Sequence, residues 1–385
     1  MTYEIWILSV LASLVIVPRL LLRFGIPAPL TAFAMGVVPI VFGYPLVANE
    51  NWMLLATLGI TSLFLHAGIE VNLDALVKEK KRLMAHLAVK LLLLIAVAGL
   101  IMYMNQIEFS LAVIVALAIV TPSTGFIINT INRLQLNSKE RFWVRNKAIS
   151  SEILALIIMF IALQTSSPEV DDPKVLLNSF ALIGLILALP IVFGFIAKVI
   201  IPHAPGSEFS LLIMMGVVAG YITKSLGVYY LVGAFLVGLF AVLLKNKVPT
   251  MATEKNLQAI DLFATFFIPF YFFVSGTRFP QEALTADSII SGALLFSVVI
   301  PIRWFAVWVQ RRFTHEESRV SSTRVSIALM PTLIFTLVIS EILLSRGDIS
   351  PQVFGTLMTY AVMNTIIPTV LFALFGLKQP TNQEA

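Results

Sequence analysis

Long apolar runs alternate with short polar breaks along the whole chain. Thirteen apolar segments can be marked, near residues 4–22, 28–47, 53–72, 83–104, 111–131, 147–165, 177–200, 207–224, 228–245, 258–278, 287–308, 324–345 and 351–376. Most are close to the roughly 20 residues that an α-helix needs to cross a bilayer core of about 30 Å. The break between the eighth and ninth segments, Ser225 to Gly227, is short, so twelve spans with one re-entrant piece is the alternative count. The first run, Ile5 to Val17, has no basic region before it and no small-residue cleavage site after it. It therefore reads as a span and not as a cleavable signal.

Composition agrees with this pattern. The 385 residues are 58% hydrophobic and 12% charged, and the mean hydropathy is +0.94. A soluble domain is about 25% charged, so most of this chain must face lipid or other helices. The expected fold class is an all-α polytopic membrane protein forming one transmembrane domain over 1–385. The tail after Gly376 is too short for a soluble domain. There is no cysteine, which excludes disulfides, thiolate metal sites and cysteine nucleophiles. None of the four histidines belongs to an HExxH pair. No nucleophile–base pair falls within the spans, so neither an enzyme nor a cofactor is expected. The net charge of +5 is modest and gives no reason to expect nucleic acid as a partner.

The placement of charge says more than its sum. Lys78, Lys80, Lys81 and Arg82 follow the third span, and Arg133, Lys139, Arg141, Arg145 and Lys147 follow the fifth. Lys245, Lys247 and Lys255 follow the ninth, and Arg311, Arg312, Arg319 and Arg324 follow the eleventh. The intervening loops are poor in Lys and Arg, and two are acidic, with Glu169, Asp171 and Asp172 in one and Glu282 and Asp287 in the other. Basic loops stay in the cytoplasm. Thirteen spans with the N-terminus outside and the C-terminus inside put every basic cluster on one side.

Two spans are interrupted. The fifth carries Thr121-Pro122-Ser123-Thr124-Gly125, and the twelfth carries Met330-Pro331-Thr332. Proline removes a helical hydrogen bond and clashes with the preceding turn. Irregular backbone at such depth survives only where it is buried in protein or lines a cavity. Glu152 lies 30 residues after Pro122, and Asn364 lies 33 residues after Pro331. The breaks are seven spans apart, so the second unit is inverted relative to the first. That is the arrangement of inverted-repeat transporters, in which broken helices frame a midplane site.

Glu152 is the deepest carboxylate of the spans. An ionised carboxylate there is costly unless it is paired, hydrated or protonated. Such a group can hold a proton or a cation in turn, and exchange requires that chemistry. Hydroxyls of Ser150, Ser151, Thr121, Ser123 and Thr124 are candidates to complete an oxygen shell for Na⁺ or K⁺. Asp261, Glu70 and Glu341 lie nearer span ends and read as structural or interfacial. Arg303 is the deepest arginine, placed either to pair with Glu152 or to stabilise the crossed helix ends. Lys90 is either a core stabiliser or a snorkelling residue. His66 reads as a packing histidine, and Gly233 and Gly238 as close-packing positions.

These residues resemble the monovalent cation:proton antiporter superfamily, in particular its second branch of bacterial sodium/proton antiporters and glutathione-gated potassium efflux systems. The resemblance runs over nearly the whole chain. It is carried by Ile26-Pro27-Ala28-Pro29-Leu30 with Gly36, by Leu58-Gly59-Ile60 through Leu63-Phe64-Leu65-His66-Ala67-Gly68-Ile69-Glu70, by Leu226-Gly227-Val228 with Gly233-Ala234-Phe235-Leu236-Val237-Gly238, and by Phe270-Tyr271-Phe272-Phe273-Val274-Ser275-Gly276. The family's ion-binding helix usually carries Asp-Asp, Asn-Asp or Gln-Asp, and the matching pair here is Ser151-Glu152. Glu152 falls on the ion-binding acid, Ser151 on the variable position before it, and Arg303 on a basic position of a later span.

The resemblance implies a homodimer in a bacterial inner membrane. It implies core helices at about 83–165 and 287–376 moving against scaffold and dimer helices at about 1–72 and 177–278. The repeats would then be about 1–165 and 207–376, joined by a linker helix at about 177–200. It also implies monovalent cation/proton antiport, electroneutral because a single acid carries one proton per cycle. Two rival readings remain at this point: sodium-coupled organic anion symport on the same fold, and a transport-inactive membrane sensor or subunit.

Overall fold

The computed structural model describes residues 3–43, 50–131, 134, 136–165, 173–226, 230–244, 253–315 and 318–374. Arg133, Glu169, Asp171, Asp172, Gly227, Val228, Lys245, Lys247 and the tail from Phe375 lie outside these residues. In chain order the helices are α1 (Tyr3–Leu21), α2 (Ala28–Val41), α3 (Glu50–Ile69), α4 (Leu73–Lys78), α5 (Lys80–Asn105), α6 (Phe109–Val120), α7 (Thr124–Ile131) and α8 (Ser138–Thr165). They continue with α9 (Pro173–Phe195), α10 (Ile201–His203), α11 (Glu208–Ser225), α12 (Tyr230–Leu243) and α13 (Glu254–Thr277). The last four are α14 (Ala286–His315), α15 (Arg319–Ala328), α16 (Leu333–Arg346) and α17 (Pro351–Leu374).

Among the described residues, eleven helical segments are long and apolar enough to cross a membrane, counting each interrupted pair as one. Ala28–Val41 and Tyr230–Leu243 are shorter apolar helices. Together they follow the thirteen segments read from the sequence.

Several helices run beyond their apolar cores. α8 begins at Ser138, well before the apolar run at 147–165. Its start is fixed by reciprocal hydrogen bonds: Glu140 N donates to Asn137 Oδ1 at 2.8 Å, and Asn137 N donates to Glu140 Oε2 at 3.0 Å. This is a capping box, which satisfies two orphan N–H groups at a helix start. Arg141, Arg145 and Lys147, expected in a loop, are therefore helical. Arg311 and Arg312 likewise belong to α14, and Arg319 and Arg324 to α15. Hydropathy marks the apolar stretch but not the polar turns that extend it.

The chain divides into two compact units, Met1–Val71 with Glu169–Phe279, and Asn72–Pro168 with Pro280–Ala385. In the first unit α3 packs against α12 and α13, and α13 also packs against α2. Glycines set two of these crossings. A methyl group on Gly36 would meet the Phe273 carbonyl oxygen and lie 2.8 Å from the Gly276 Cα; one on Gly276 would meet the Phe33 carbonyl. Gly68 and Gly238 are opposed in the same reciprocal way on α3 and α12. Small residues let helix backbones approach where lipid offers no hydrophobic drive for association. Trp52 closes the crossing of α3 with α13, its ring tilted against those of Phe270 and Phe273.

In the second unit α6 and α16 are buried over most of their length. α14 packs on α17 and α15, α5 on α6 and α8, and α16 on α6 and α17. A second buried polar group ties this unit together away from the breaks. Arg324 of α15 is 3.2 Å from Glu140 of α8, both almost fully buried, and Lys147 donates to Gln310 of α14.

Candidate functional site

The site is built from two helix breaks in the second unit. α6 stops because Pro122 has no N–H and disfavours helical backbone at Thr121. Thr121 is accordingly extended, with φ −81° and ψ 122°. The carbonyls of Ala118, Ile119 and Val120 then lack their helical partners, and a buried orphan carbonyl is costly. Each is satisfied by a side chain. Thr336 Oγ1 donates to Ala118 O at 2.7 Å, Tyr360 OH to Ile119 O at 2.7 Å, and Lys90 Nζ to Val120 O at 2.6 Å.

The second break, after α15, is treated alike. Arg303 Nη2 donates to Leu329 O at 3.3 Å, and Nη1 donates to Met330 O at 3.0 Å and to the Tyr360 hydroxyl oxygen at 2.9 Å. The two breaks are also bonded to each other. Ser123 N donates to Pro331 O at 2.8 Å, and Ser123 Oγ accepts from Ile334 N at 3.0 Å and Phe335 N at 3.3 Å.

The N-terminal ends of the resumed helices face acceptors. Thr124 N, at the start of α7, donates to Glu152 Oε2 at 3.2 Å. Thr332 N, beside the start of α16, donates to Asn364 Oδ1 at 3.1 Å, and Asn364 Nδ2 donates to Thr332 Oγ1 at 2.8 Å. A helix N-terminus favours negative charge through its free N–H groups and its dipole. Glu152 thus sits where a carboxylate is best tolerated without a cationic partner. It lies at the middle of the 28-residue α8 and is buried, deeper in its helix than the apolar run alone suggested.

The pattern is a repeat. In each half a cation from the preceding long helix (Lys90 of α5, Arg303 of α14) holds the carbonyl end of the break. An acceptor from the following helix (Glu152 of α8, Asn364 of α17) holds its N–H end. Residues 9–376 match the family described as sodium/hydrogen exchanger, transmembrane.

The chain belongs to the sodium/hydrogen exchanger family.

This exchanger is 24% identical over 380 residues to the protein named "Probable Na(+)/H(+) antiporter 3" of Methanocaldococcus jannaschii, with 96% of each chain covered. Its fold is similar to that of the sodium proton antiporter MjNhaP1 of the same organism at pH 8. The TM-score there is 0.70 at 13% identity, over 97% of this chain and 96% of that one. An electron-microscopy structure of MjNhaP1 gives 0.66 at 14% identity, over 98% and 97%. Cation/proton antiport is the activity of the family, so the exchanger is a multi-pass membrane transporter and not an enzyme.

Of the hydroxyls considered for an ion shell, the exchanger brings Thr121 and Ser151 to one small cavity, with Lys90 and Pro122 beside them. Thr124 reaches Glu152 through its backbone N–H. Ser150 donates back to Lys147 O within its own helix. Ser123 is turned to the second break, where its oxygen accepts two N–H groups. Arg303 lies on the Leu329 and Met330 carbonyls and Tyr360, not on Glu152. Lys90 reaches a buried carbonyl instead of snorkelling to an interface. Pro122 and Pro331 both mark true breaks. In the other unit, His66 Nε2 stands 3.7 Å from Glu70 and 3.6 Å from Asp261.

Sequence reading missed Tyr360, Thr336 and His86, and named Thr332 only as part of a break. His86 Nε2 is 3.1 Å from Ser151 Oγ. A signal existed: His86/Lys90, Thr332/Thr336 and Tyr360/Asn364 are each four residues apart within apolar runs. That spacing puts both polar groups on one helix face.

Proposed function

We propose that this protein exchanges Na⁺ or K⁺ for H⁺ by alternating access, with Glu152 binding cation and proton in competition. The observation that carries the reading is the buried Glu152 carboxylate held by the Thr124 N–H at a helix break. A carboxylate in that position has no fixed cation as partner among its described bonds, so a mobile one can serve. Thr121 and Ser151, which share one small cavity, are the hydroxyls this reading assigns to the cation's oxygen shell. The sodium/proton antiporters among its relatives favour Na⁺.

One carboxylate carries one proton or one monovalent cation, so each cycle moves no net charge. The same reading makes the unit with Glu152 the moving core and the other unit the scaffold of a homodimer in a prokaryotic cytoplasmic membrane. The basic clusters favour an outward N-terminus and a cytoplasmic C-terminus.

Proteoliposomes loaded with a pH dye test this. Adding Na⁺, K⁺ and Li⁺ in turn identifies the cation. Because the ligand must be deprotonated to bind a cation, the apparent KM should climb toward about tenfold per pH unit on acidification, with Vmax unchanged. Clamping the membrane potential should leave the rate unaltered. Absence of any cation-driven pH change, with uptake of labelled organic anions instead, overturns antiport in favour of symport.

A further inference from the structure

We propose that His86 is a positioning residue for the transported cation, acting through Ser151. The proposal rests on the reading of Glu152 as the exchange site. An alcohol oxygen coordinates a cation through its lone pairs, so its hydrogen must be given to an acceptor elsewhere. A serine within a helix usually gives it to a carbonyl of its own preceding turn. Ser150 does this, donating to Lys147 O at 3.2 Å. Ser151, the residue that touches Glu152 in sequence, instead meets His86 Nε2 at 3.1 Å across the gap between α8 and α5.

With its proton on Nδ1, the imidazole accepts at Nε2, and the proposal assigns it that tautomer. It is buried, and its cavity is otherwise lined by Lys90, Arg303 and apolar or backbone groups. Lys90 and Arg303 are donors only, and each is already directed at backbone carbonyls. Of the three polar side chains there, His86 alone can take the Ser151 proton. With that proton held by His86, the lone pairs of Ser151 Oγ are left for the cavity that it shares with Thr121. Ser151 then becomes a fixed neutral oxygen, a ligand type suited to hard monovalent cations, one residue before Glu152 in α8.

The test uses the purified full-length protein in detergent. Its melting temperature is followed against Na⁺, K⁺ or Li⁺, with choline as the control cation, since a bound ligand stabilises the folded state by mass action. Replacing His86 by Leu should weaken apparent cation affinity about 3- to 10-fold, the scale of one oriented hydrogen bond. Replacing it by Gln, whose amide oxygen accepts, should recover most of that loss. Ser151→Ala should weaken affinity to a similar degree, and adding His86→Leu to it should change nothing more, as expected of residues acting through one contact.

Unchanged affinity in His86→Leu, full additivity in the double variant, or a wild-type melt that no cation moves would each overturn the proposal. A wild type that exchanges cations for protons while His86→Leu keeps its affinity sinks this inference alone. A wild type without exchange sinks the antiport reading.

Discussion

The two helix breaks share one plan and differ in one atom group. Each interrupts a buried helix at a proline, and each has its carbonyl end held by a cation and its N–H end held by an acceptor one helix later. At the second break the acceptor is the Asn364 amide, which also donates to Thr332 Oγ1 and is locked at both ends. At the first it is the Glu152 carboxylate, bonded to one backbone N–H. An amide keeps its protons at any accessible pH, whereas a carboxylate can trade a proton for a cation. The comparison separates architecture from chemistry: both breaks need their acceptor, and one acceptor is free to change partners.

Making the first break like the second should have the largest effect. Glu152→Gln keeps an oxygen for the Thr124 N–H but removes the exchangeable charge. Cation-driven proton movement in proteoliposomes should fall by at least about 100-fold, the size associated with loss of an essential proton-transferring group, while the melting temperature stays near wild type. Exchange at the wild-type rate would end the mechanism.

The cations offer the next contrast. Arg303→Met strips two buried carbonyls and a tyrosine hydroxyl of their donors, and Lys90→Met strips one carbonyl. At about 1–3 kcal/mol for each buried group left unpaired, the arginine variant should be the less stable by a few kcal/mol in denaturation assays. Equal losses would mean that the two cations are not counterparts. The smallest change is expected for Thr336→Val, which removes the donor to Ala118 O. It should cost about 1 kcal/mol and leave the apparent cation KM unaltered, because Thr336 serves the backbone and not the carboxylate.

Much of this was legible in the sequence. Apolar runs of span length gave the helices, and Pro122 and Pro331 gave the breaks, because bilayer thickness and proline stereochemistry act locally. Glu152 stood out because charge is scarce at that depth. What hydropathy could not see was the polar end of α8, whose start is written in Asn137 and Glu140 as a cap. Partner choice was also hidden. Nothing local to Ser123 says that its hydroxyl will serve Ile334 and Phe335, and nothing near Arg303 says that it will choose carbonyls over Glu152. Those pairings depend on which helices the fold brings together, and only the four-residue spacing of polar pairs hinted at them.

The stitching of the breaks also constrains how the protein can be made. Val120 O finds its donor 30 positions earlier, in Lys90, but Ala118 O waits for Thr336 and Ile119 O for Tyr360, which are 218 and 241 positions later. A growing chain can therefore insert α6 and α7 long before it can finish them. Until α17 arrives, the first break holds open carbonyls in the membrane, and the carboxylate site has no completed wall. The break that holds Glu152 is among the last features that synthesis can close, so a chain truncated before Tyr360 should have its helices without a finished first break.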